Sequence, residues 1–159
     1  MVAVNQDWPV AELDPVRRMR VLAAATPGVA YAEKLIPVPF SAVWEAASDL
    51  EREFPRMITD LRSFEIISIR GERMTARARG RLGQRARFDV VLRPGWCVMQ
   101  SRFLIGGMAA VPEAGGTRFA FLGGLRLPGM RLVDPVLRPA VRPLARRPIR
   151  QLEHRLRAR

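Results

Sequence analysis

Cysteine and histidine are almost absent from this sequence, which contains only Cys97 and His154. A single cysteine cannot form an internal disulfide, and the two residues together cannot supply the ligands of a structural zinc site. We therefore predict a reduced, cytoplasmic protein that binds no metal and no cofactor. His154 lies among arginines near the C-terminus, a position more typical of a surface residue than of a general base.

Other common signals are also missing. No run of about 18 apolar residues occurs, so no segment is expected to span a bilayer. There is no Walker loop, no dinucleotide fingerprint and no recognisable pair of nucleophile and base. Nucleic-acid-binding motifs are absent as well, and aromatic residues make up only 7% of the chain. That scarcity disfavours a nucleic-acid partner, above all a single strand that would stack on aromatic rings.

Acidic residues are few relative to basic ones. The chain has 27 lysines and arginines against 15 aspartates and glutamates, a net charge of +12, and every basic residue except Lys34 is an arginine. GC-rich codons would account for arginine in place of lysine, but they do not account for the excess of positive charge. Such a charge attracts anions, so an acidic lipid surface and an acidic protein surface are the partners to consider.

The chain is predicted to consist of an N-terminal extension followed by one domain. The extension covers residues 1–29, where Asp14-Pro15 predicts the start of a helix and Thr26-Pro27-Gly28 its end, so that a helix forms over about 15–25. Residues 30–159 follow without a linker or an internal repeat. They are long enough to bury one substantial core.

This domain is predicted to begin with a strand over 30–38 and two short helices over 40–50 and 51–58, the second interrupted at Pro55. Glycine and proline turn signals such as Gly71-Glu72 and Pro94-Gly95 then separate a series of strands. The strands are predicted near 63–70, 73–82, 85–93, 96–104, 107–113 and 117–126. Consecutive strands with short turns form an antiparallel meander, so the predicted fold class is α+β.

Three short motifs follow one another between Ile36 and Phe119. The first strand ends in Ile36-Pro37-Val38-Pro39, a helix with Val43-Trp44 is followed by Asp49, and Gly115-Gly116-Thr117-Arg118-Phe119 forms the turn into the last strand. With the meander and the amphipathic C-terminal segment, they resemble the START-like SRPBCC superfamily, the helix-grip fold, and within it the polyketide cyclase/dehydrase and lipid-transport branch.

The resemblance implies a curved antiparallel sheet of six to seven strands around a long, proline-interrupted C-terminal helix. Between the sheet and that helix, the superfamily has an apolar cavity, so residues 30–159 are expected to bind a hydrophobic or amphipathic small molecule, lipid-like or polyketide-like. Because the superfamily contains both enzymes and plain carriers, the resemblance implies no particular activity.

The hairpin registers independently predict such a cavity. If Arg81 pairs with Arg85 and Arg93 with Trp96, one sheet face is apolar, has very small side chains on strand 73–82, and continues through Ser101 and Ile105. Small side chains leave room either for a ligand or for a closely packed helix, and the sequence does not choose between them. The residues predicted to line the cavity are Trp44, Ala76, Ala78, Gly80, Phe88, Val90, Met99, Phe103, Phe119 and Phe121.

The opposite face of the same strands is predicted to be strongly basic. In this register Arg79, Arg87 and Arg102 lie side by side, and like charges directly opposite each other destabilise a sheet by up to about 1 kcal/mol per pair. An anionic membrane or an acidic protein would relieve that repulsion, whereas the alternative is a solvated surface. The predicted basic surface consists of Arg77, Arg79, Arg81, Arg85, Arg87 and Arg102.

The C-terminal segment, residues 130–159, combines apolar residues at helical spacing with four prolines. Pro135 follows Asp134 and can start a helix, whereas each later proline costs about 3 kcal/mol inside a regular helix. We therefore predict a kink or break between 139 and 148. Nine arginines stand against Asp134 and Glu153 in this segment. It is interpreted either as the cover of the cavity or as a segment that is peripheral to an acidic membrane.

Three polar residues are candidates for chemistry inside the cavity: Glu65, Ser101 and Tyr31. Glu65 would point inward if the Gly71-Glu72 turn pairs Arg70 with Arg73, and a carboxyl group in an apolar pocket can act as an acid or a base. A register shift of one residue would instead place Glu65 in solvent.

The primary hypothesis is a carrier or sensor of a hydrophobic or amphipathic molecule. The alternative is an enzyme similar to polyketide cyclases, aromatases or dehydratases, which requires at least two of these polar groups to converge on one cavity. A third hypothesis is a protein that binds an anionic membrane surface through its arginines.

Overall fold

A seven-stranded antiparallel sheet forms the centre of the structure, a computed structural model that describes residues 13–159. The spatial order β1-β7-β6-β5-β4-β3-β2 makes β1 and β2 the two edges. The sheet is therefore the predicted meander of six consecutive strands, with the first strand added beside the last. The strands are β1 (Val29–Ile36), β2 (Leu61–Arg70), β3 (Arg73–Gly80), β4 (Arg85–Arg93), β5 (Trp96–Gln100), β6 (Leu104–Glu113) and β7 (Gly116–Leu125).

Helices precede the sheet, connect its first two strands and end the chain. They are α1 (Pro15–Ala25), α2 (Phe40–Ala47), α3 (Phe54–Met57), α4 (Met130–Val141) and α5 (Arg146–Arg157), with a 3₁₀ helix over Arg142–Ala145. The 3₁₀ helix is the predicted break between 139 and 148. The predicted interruption at Pro55 is wrong, because Pro55 lies in the first turn of α3, where its missing N–H needs no partner.

The main hydrophobic core lies between the inner face of the sheet and the helices α2, α3 and α5. It contains buried residues from the sheet and from both helical regions, such as Phe119, Trp44 and Leu152. α5 packs against β1, β7, α2 and α3. The curved sheet therefore holds the C-terminal helix on its inner face.

A second, smaller core lies on the outer face, where α1 packs against β1, β6 and β7. α1 buries Val16, Met19 and Ala23, which are spaced three and four residues apart and so share one side of a helix. Gly107 lets the helix approach closely, because a Cβ atom there would lie 2.9 Å from the sulfur of Met19. The described helices leave the outer face of β2, β3 and β4 exposed.

The observed strand registers differ in part from the predicted ones, but most residues lie on the predicted face of the sheet. Arg79 pairs with Arg85 and Arg77 with Arg87, so the predicted pairing of Arg81 with Arg85 is wrong by two residues. Because side chains alternate with a period of two, a shift of two leaves the alanines of β3 on the inner face. The predicted pairing of Arg93 with Trp96 is confirmed.

The predicted continuation of β5 is wrong. β5 ends at Gln100, and residues 101–103 form the turn into β6. Ile105 consequently lies opposite Gln100 and belongs to the outer core beneath α1, not to the inner face. Arg102 lies in this turn and does not form a ladder with Arg79 and Arg87.

Candidate functional site

The residues predicted to line a cavity are mostly packed into the main core. Two are not fully buried: Gly80 is half-buried at the end of β3, and Phe103 is half-exposed in the turn between β5 and β6. The other eight are buried members of one hydrophobic cluster, namely Trp44, Ala76, Ala78, Phe88, Val90, Met99, Phe119 and Phe121.

Aromatic rings lie beside the small residues of β3. Phe64 of β2 is opposite Ala78 and Phe88 of β4 is opposite Ala76. The ring centroids of Phe64 and Phe88 are 5.9 Å apart, and the ring of Phe54 lies 5.4 Å from that of Phe64 in an edge-on arrangement. The two alanines thus make room for rings from both neighbouring strands and from α3, which is the close-packing alternative for this part of the sheet.

Glu65 lies on the exposed outer face, opposite Arg77, so the predicted inward orientation of its carboxylate is wrong. The turn does pair Arg70 with Arg73, as predicted. A register shift between Ile66 and Ser68 leaves one extra residue in β2. Such a bulge reverses the face of every residue beyond it, which carries Glu65 outward.

Tyr31 and Ser101 also lie outside the main core. Tyr31 lies on the outer side beneath α1 and donates a hydrogen bond to Glu33, which also binds Arg20. Burial and the neighbouring carboxylate raise the pKa of Tyr31 above its usual range. Ser101 Oγ accepts from the backbone N–H of Leu104 at 3.0 Å. The three polar candidates therefore do not converge on one cavity.

The cysteine in the main core, Cys97, is fully buried. Burial raises the pKa of the Cys97 thiol to about 12, so the reactive thiolate is scarce at neutral pH. Within residues 13–159 no group of three or more side chains is arranged to hold a metal ion. None of the helices in that range is long and apolar enough to cross a membrane.

Ion pairs, rather than a reactive group, border the main core at α5. Glu153 of α5 binds Lys34 of β1 and Arg157. Glu53 accepts from Arg155 at 2.6 Å and from Arg159 at 3.1 Å. The hydrogen bond from Arg155 holds the pKa of Glu53 below its usual range, against the opposing effect of burial. The pair of Lys34 with Glu153 fastens α5 to β1, and the pair of Glu53 with Arg155 fastens it to the start of α3.

A cleft of about 930 Å³ lies between α3 and the first half of β2, which we call the α3–β2 cleft. Apolar atoms of Ile58, Leu61 and Phe64 contribute to its lining. Phe64 belongs to the main core, so this apolar surface is continuous with that core. The cleft also carries four arginines, namely Arg52, Arg56, Arg62 and Arg81.

The carboxylates of the α3–β2 cleft have hydrogen-bond partners, whereas its four arginines form no described ion pair. Its carboxylates are engaged, since Glu53 binds Arg155 and Arg159, and Glu51 accepts from the backbone N–H of Ile66 at 2.9 Å. Among residues 13–159, no carboxylate lies within salt-bridge distance of the four cleft arginines. Four arginines and two glutamates thus give the lining of the cleft a formal charge of +2. Of the four, only Arg81 was predicted as a site residue.

The predicted basic surface is present in part on the outer face of the sheet. Arg77 lies opposite Arg87 and Arg79 opposite Arg85, and all four are exposed. Arg81 belongs to the hairpin tip and lines the α3–β2 cleft. Arg102 stacks on Phe103, with 5.1 Å between its guanidinium carbon and the ring centroid.

No protein-family model matches the chain, and no curated protein matches it either. Solved structures do. The chain is similar to TTHA0849 from Thermus thermophilus, with 22% identity, a TM-score of 0.59, and coverage of 82% of this chain and 97% of that one. It is similar to the KanY protein, with 13% identity, a TM-score of 0.63, and coverage of 83% and 99%.

A third similar structure is the di-domain ARO/CYC BexL from the BE-7585A biosynthetic pathway. It is 14% identical with a TM-score of 0.61, and the match covers 89% of this chain but 54% of BexL. At these identities the likeness is one of fold. The chain therefore has the helix-grip fold, as its sequence motifs predicted.

Proposed function

We propose that the protein binds an amphipathic acid, a molecule with an apolar chain or ring system and one carboxylate or phosphate group. The acidic group lies among Arg52, Arg56, Arg62 and Arg81, and the apolar part lies against Ile58, Leu61 and Phe64. The observation that supports this proposal is that three apolar residues and four arginines outside any described ion pair line one cleft.

The size of the cleft suits such a ligand. Ligand sites commonly have volumes of about 300 to 1,000 Å³ and combine apolar walls with a few polar groups that fix orientation. Guanidinium groups bind carboxylate and phosphate through paired, charge-assisted hydrogen bonds. Apolar contact adds about 25 cal/mol for each Å² removed from water. The two contributions select molecules that are both acidic and apolar.

A carrier or sensor is favoured over an enzyme. Catalysis by acid–base or nucleophilic groups requires at least two of them to face one substrate. Glu65, Ser101 and Tyr31 lie in three separate places, and Cys97 remains protonated. An enzyme similar to polyketide cyclases stays the alternative hypothesis, with no described pair of polar groups in its favour.

Thermal unfolding with matched ligands tests the proposal. A long-chain fatty acid and the alcohol of the same length differ only in the charged group. The acid should raise the melting temperature well above the effect of the alcohol, because a ligand at one hundred times its Kd stabilises the folded state by about 2.7 kcal/mol.

A pair of variants locates the binding site. Arg56→Gln with Arg62→Gln should abolish the preference for the acid, whereas Arg70→Gln with Arg73→Gln, which flank the turn between β2 and β3, should preserve it. Native mass spectrometry of the purified protein would identify a retained ligand. The proposal is wrong if no acid stabilises the protein, or if both double variants respond like the wild type.

A further inference from the structure

α4 leaves part of its apolar surface exposed. Leu132 and Val136 lie one helical turn apart, and they are 86% and 81% exposed. Leu137 and Val141 are half-buried, and Val141 packs against the main core. α4 contributes no fully buried residue. An amphipathic helix normally buries its apolar side against the core, whereas α4 buries only part of it.

Polar bonds on the opposite side of α4 hold it in this orientation. Asp134 accepts from the backbone N–H of Gly28 at 2.7 Å, and Arg138 donates to the carbonyl oxygens of Ala23 and Thr26, each at 3.2 Å. At about 100° per residue, positions 134 and 138 lie on the side of the helix opposite to 132 and 136. The connection between α1 and β1 thus anchors α4 by its polar side.

Two connections near α4, one after β5 and one after β7, also expose apolar residues. Phe103 in the turn between β5 and β6 and Leu127 after β7 are both exposed. The backbone N–H of Arg126 donates to the carbonyl of Phe103 at 2.7 Å, so the two connections touch. They line one cleft together with the start of α4.

Each of these apolar residues directly follows an arginine along the chain. The pairs are Arg102-Phe103, Arg126-Leu127 and Arg131-Leu132. The cleft lined by Arg102-Phe103, Arg126-Leu127 and Arg131 contains no carboxylate, and the carboxylate of Asp134 is already bound to Gly28 and Arg138. We call these six residues with Val136 the Arg-apolar end. It is apolar at its exposed positions and uniformly positive around them.

We propose that the Arg-apolar end docks on the surface of an anionic lipid bilayer. Leu132, Val136, Phe103 and Leu127 would enter the boundary between headgroups and acyl chains, while the arginines contact lipid phosphates. Apolar burial and attraction to anionic lipid are the two contributions that bind amphipathic helices to membranes. The inference does not depend on the ligand proposed for the α3–β2 cleft, and it uses a different surface from the sheet face with Arg79 and Arg87.

Charge argues against the other occupants of this surface. A symmetric contact with a second copy of the chain would bring the same patch of both copies together. It would therefore place Arg102, Arg126 and Arg131 against their own equivalents without a carboxylate between them. A nucleic acid would match the arginines but would leave the exposed leucine and valine of α4 uncovered. An anionic bilayer complements both.

Co-sedimentation with vesicles tests the docking. We expect the full-length protein to bind vesicles of phosphatidylcholine with about one third phosphatidylglycerol, and to bind pure phosphatidylcholine far more weakly. Raising the salt concentration should weaken binding, because screening shortens the reach of surface charges. Equal binding to the two vesicles, or no binding to either, overturns the proposal.

Matched variants separate the two contributions. Leu132→Ser with Val136→Ser should weaken binding to the anionic vesicles about tenfold or more, and Arg102→Gln with Arg131→Gln about thirtyfold. The controls are Ile69→Ser, which is also exposed but lies at the other end of the sheet, and Arg70→Gln with Arg73→Gln. The proposal fails if the controls weaken binding as much as the variants.

Sedimentation velocity of the same proteins distinguishes a second copy from a membrane. A wild-type protein that remains monomeric while binding anionic vesicles supports the proposal. A wild-type dimer that Leu132→Ser with Val136→Ser converts to a monomer would show that this surface is covered by another chain, and would overturn it.

Discussion

α4 and α5 are two adjacent helices of twelve residues each, both amphipathic, with opposite placements. α5 turns Ile149 and Leu152 into the main core, whereas α4 leaves Leu132 and Val136 exposed to solvent. The apolar residues at helical spacing over 130–159 therefore do not all face the core, and the 3₁₀ helix over Arg142–Ala145 separates the two helices.

The two helices also differ in where their ionic bonds lie. α5 buries its apolar residues and places Glu153 and Arg155 at the edge of the core, where Glu153 binds Lys34 and Arg155 binds Glu53. α4 points Asp134 and Arg138 toward the protein and leaves Leu132 and Val136 exposed. Amphipathicity thus predicts that a helix forms, but not what its apolar side faces.

The largest expected difference concerns Leu152, which is fully buried. Leu152→Ala should lower the free energy of unfolding by about 2 to 5 kcal/mol, because it removes buried methyl groups and leaves a cavity. Urea denaturation followed by circular dichroism measures this change. A loss below about 1 kcal/mol would contradict the packing of α5 in the core.

Removing an ion pair at the border of α5 should lower the free energy of unfolding by less than Leu152→Ala does. Glu53→Gln should lower stability at neutral pH by about 1 to 3 kcal/mol, because it weakens the bonds to Arg155 and Arg159. Since Arg155 holds the pKa of Glu53 below the usual 4.5, the stability that it contributes is present at neutral pH. It is lost as the pH falls from about 4.5 through the lowered pKa. Denaturation at several pH values should show the variant and the wild type converging in acid, and a constant difference would contradict this.

Loss of the polar anchor of α4 should increase the dynamics of that helix alone. Asp134→Ala removes the acceptor for Gly28 and the partner of Arg138, so amide hydrogen exchange should accelerate in residues 130–141 and stay unchanged in 146–157. Acid should act in the same way, because the Gly28 backbone hydrogen bond and Arg138 hold the pKa of Asp134 below its usual value. Asp89→Ala, on the exposed face of β4, is the matched control. Unchanged exchange in α4 would mean that other contacts hold it.

The smallest effect is expected at Leu132. Leu132→Ser should change the free energy of unfolding by no more than about 0.5 kcal/mol, because its side chain is already in water. The same urea experiment measures it next to Leu152→Ala. A loss above about 1 kcal/mol would show that the apolar side of α4 packs against the protein, and would remove the contrast between the two helices.

Much of the fold could be predicted from local signals. Asp14-Pro15 marks the start of α1, glycine and proline turns mark the strand ends, and prolines mark the break before α5. The register of β3 and β4 was wrong by two residues, yet the face of the alanines was right because the error was even. The bulge in β2 was an odd shift, so it reversed the predicted face of Glu65.

The α3–β2 cleft could not be predicted, because its walls come from α3, β2 and a hairpin tip that meet only on folding. No spacing in the sequence links Arg56 with Arg81. The same holds for the Arg-apolar end, where Phe103, Leu127 and Leu132 belong to three separate parts of the chain.

The order of elements, the antiparallel meander, the inward side of β3 and the basic charge follow from local properties of the sequence, namely turn chemistry, side-chain alternation and composition. Three further features depend on the packed fold: Glu65, Ser101 and Tyr31 do not meet, four arginines line the α3–β2 cleft, and α4 leaves Leu132 and Val136 exposed. These features depend on which surfaces come together, and a few hydrogen bonds between distant residues, such as that from Gly28 to Asp134, are enough to choose among them.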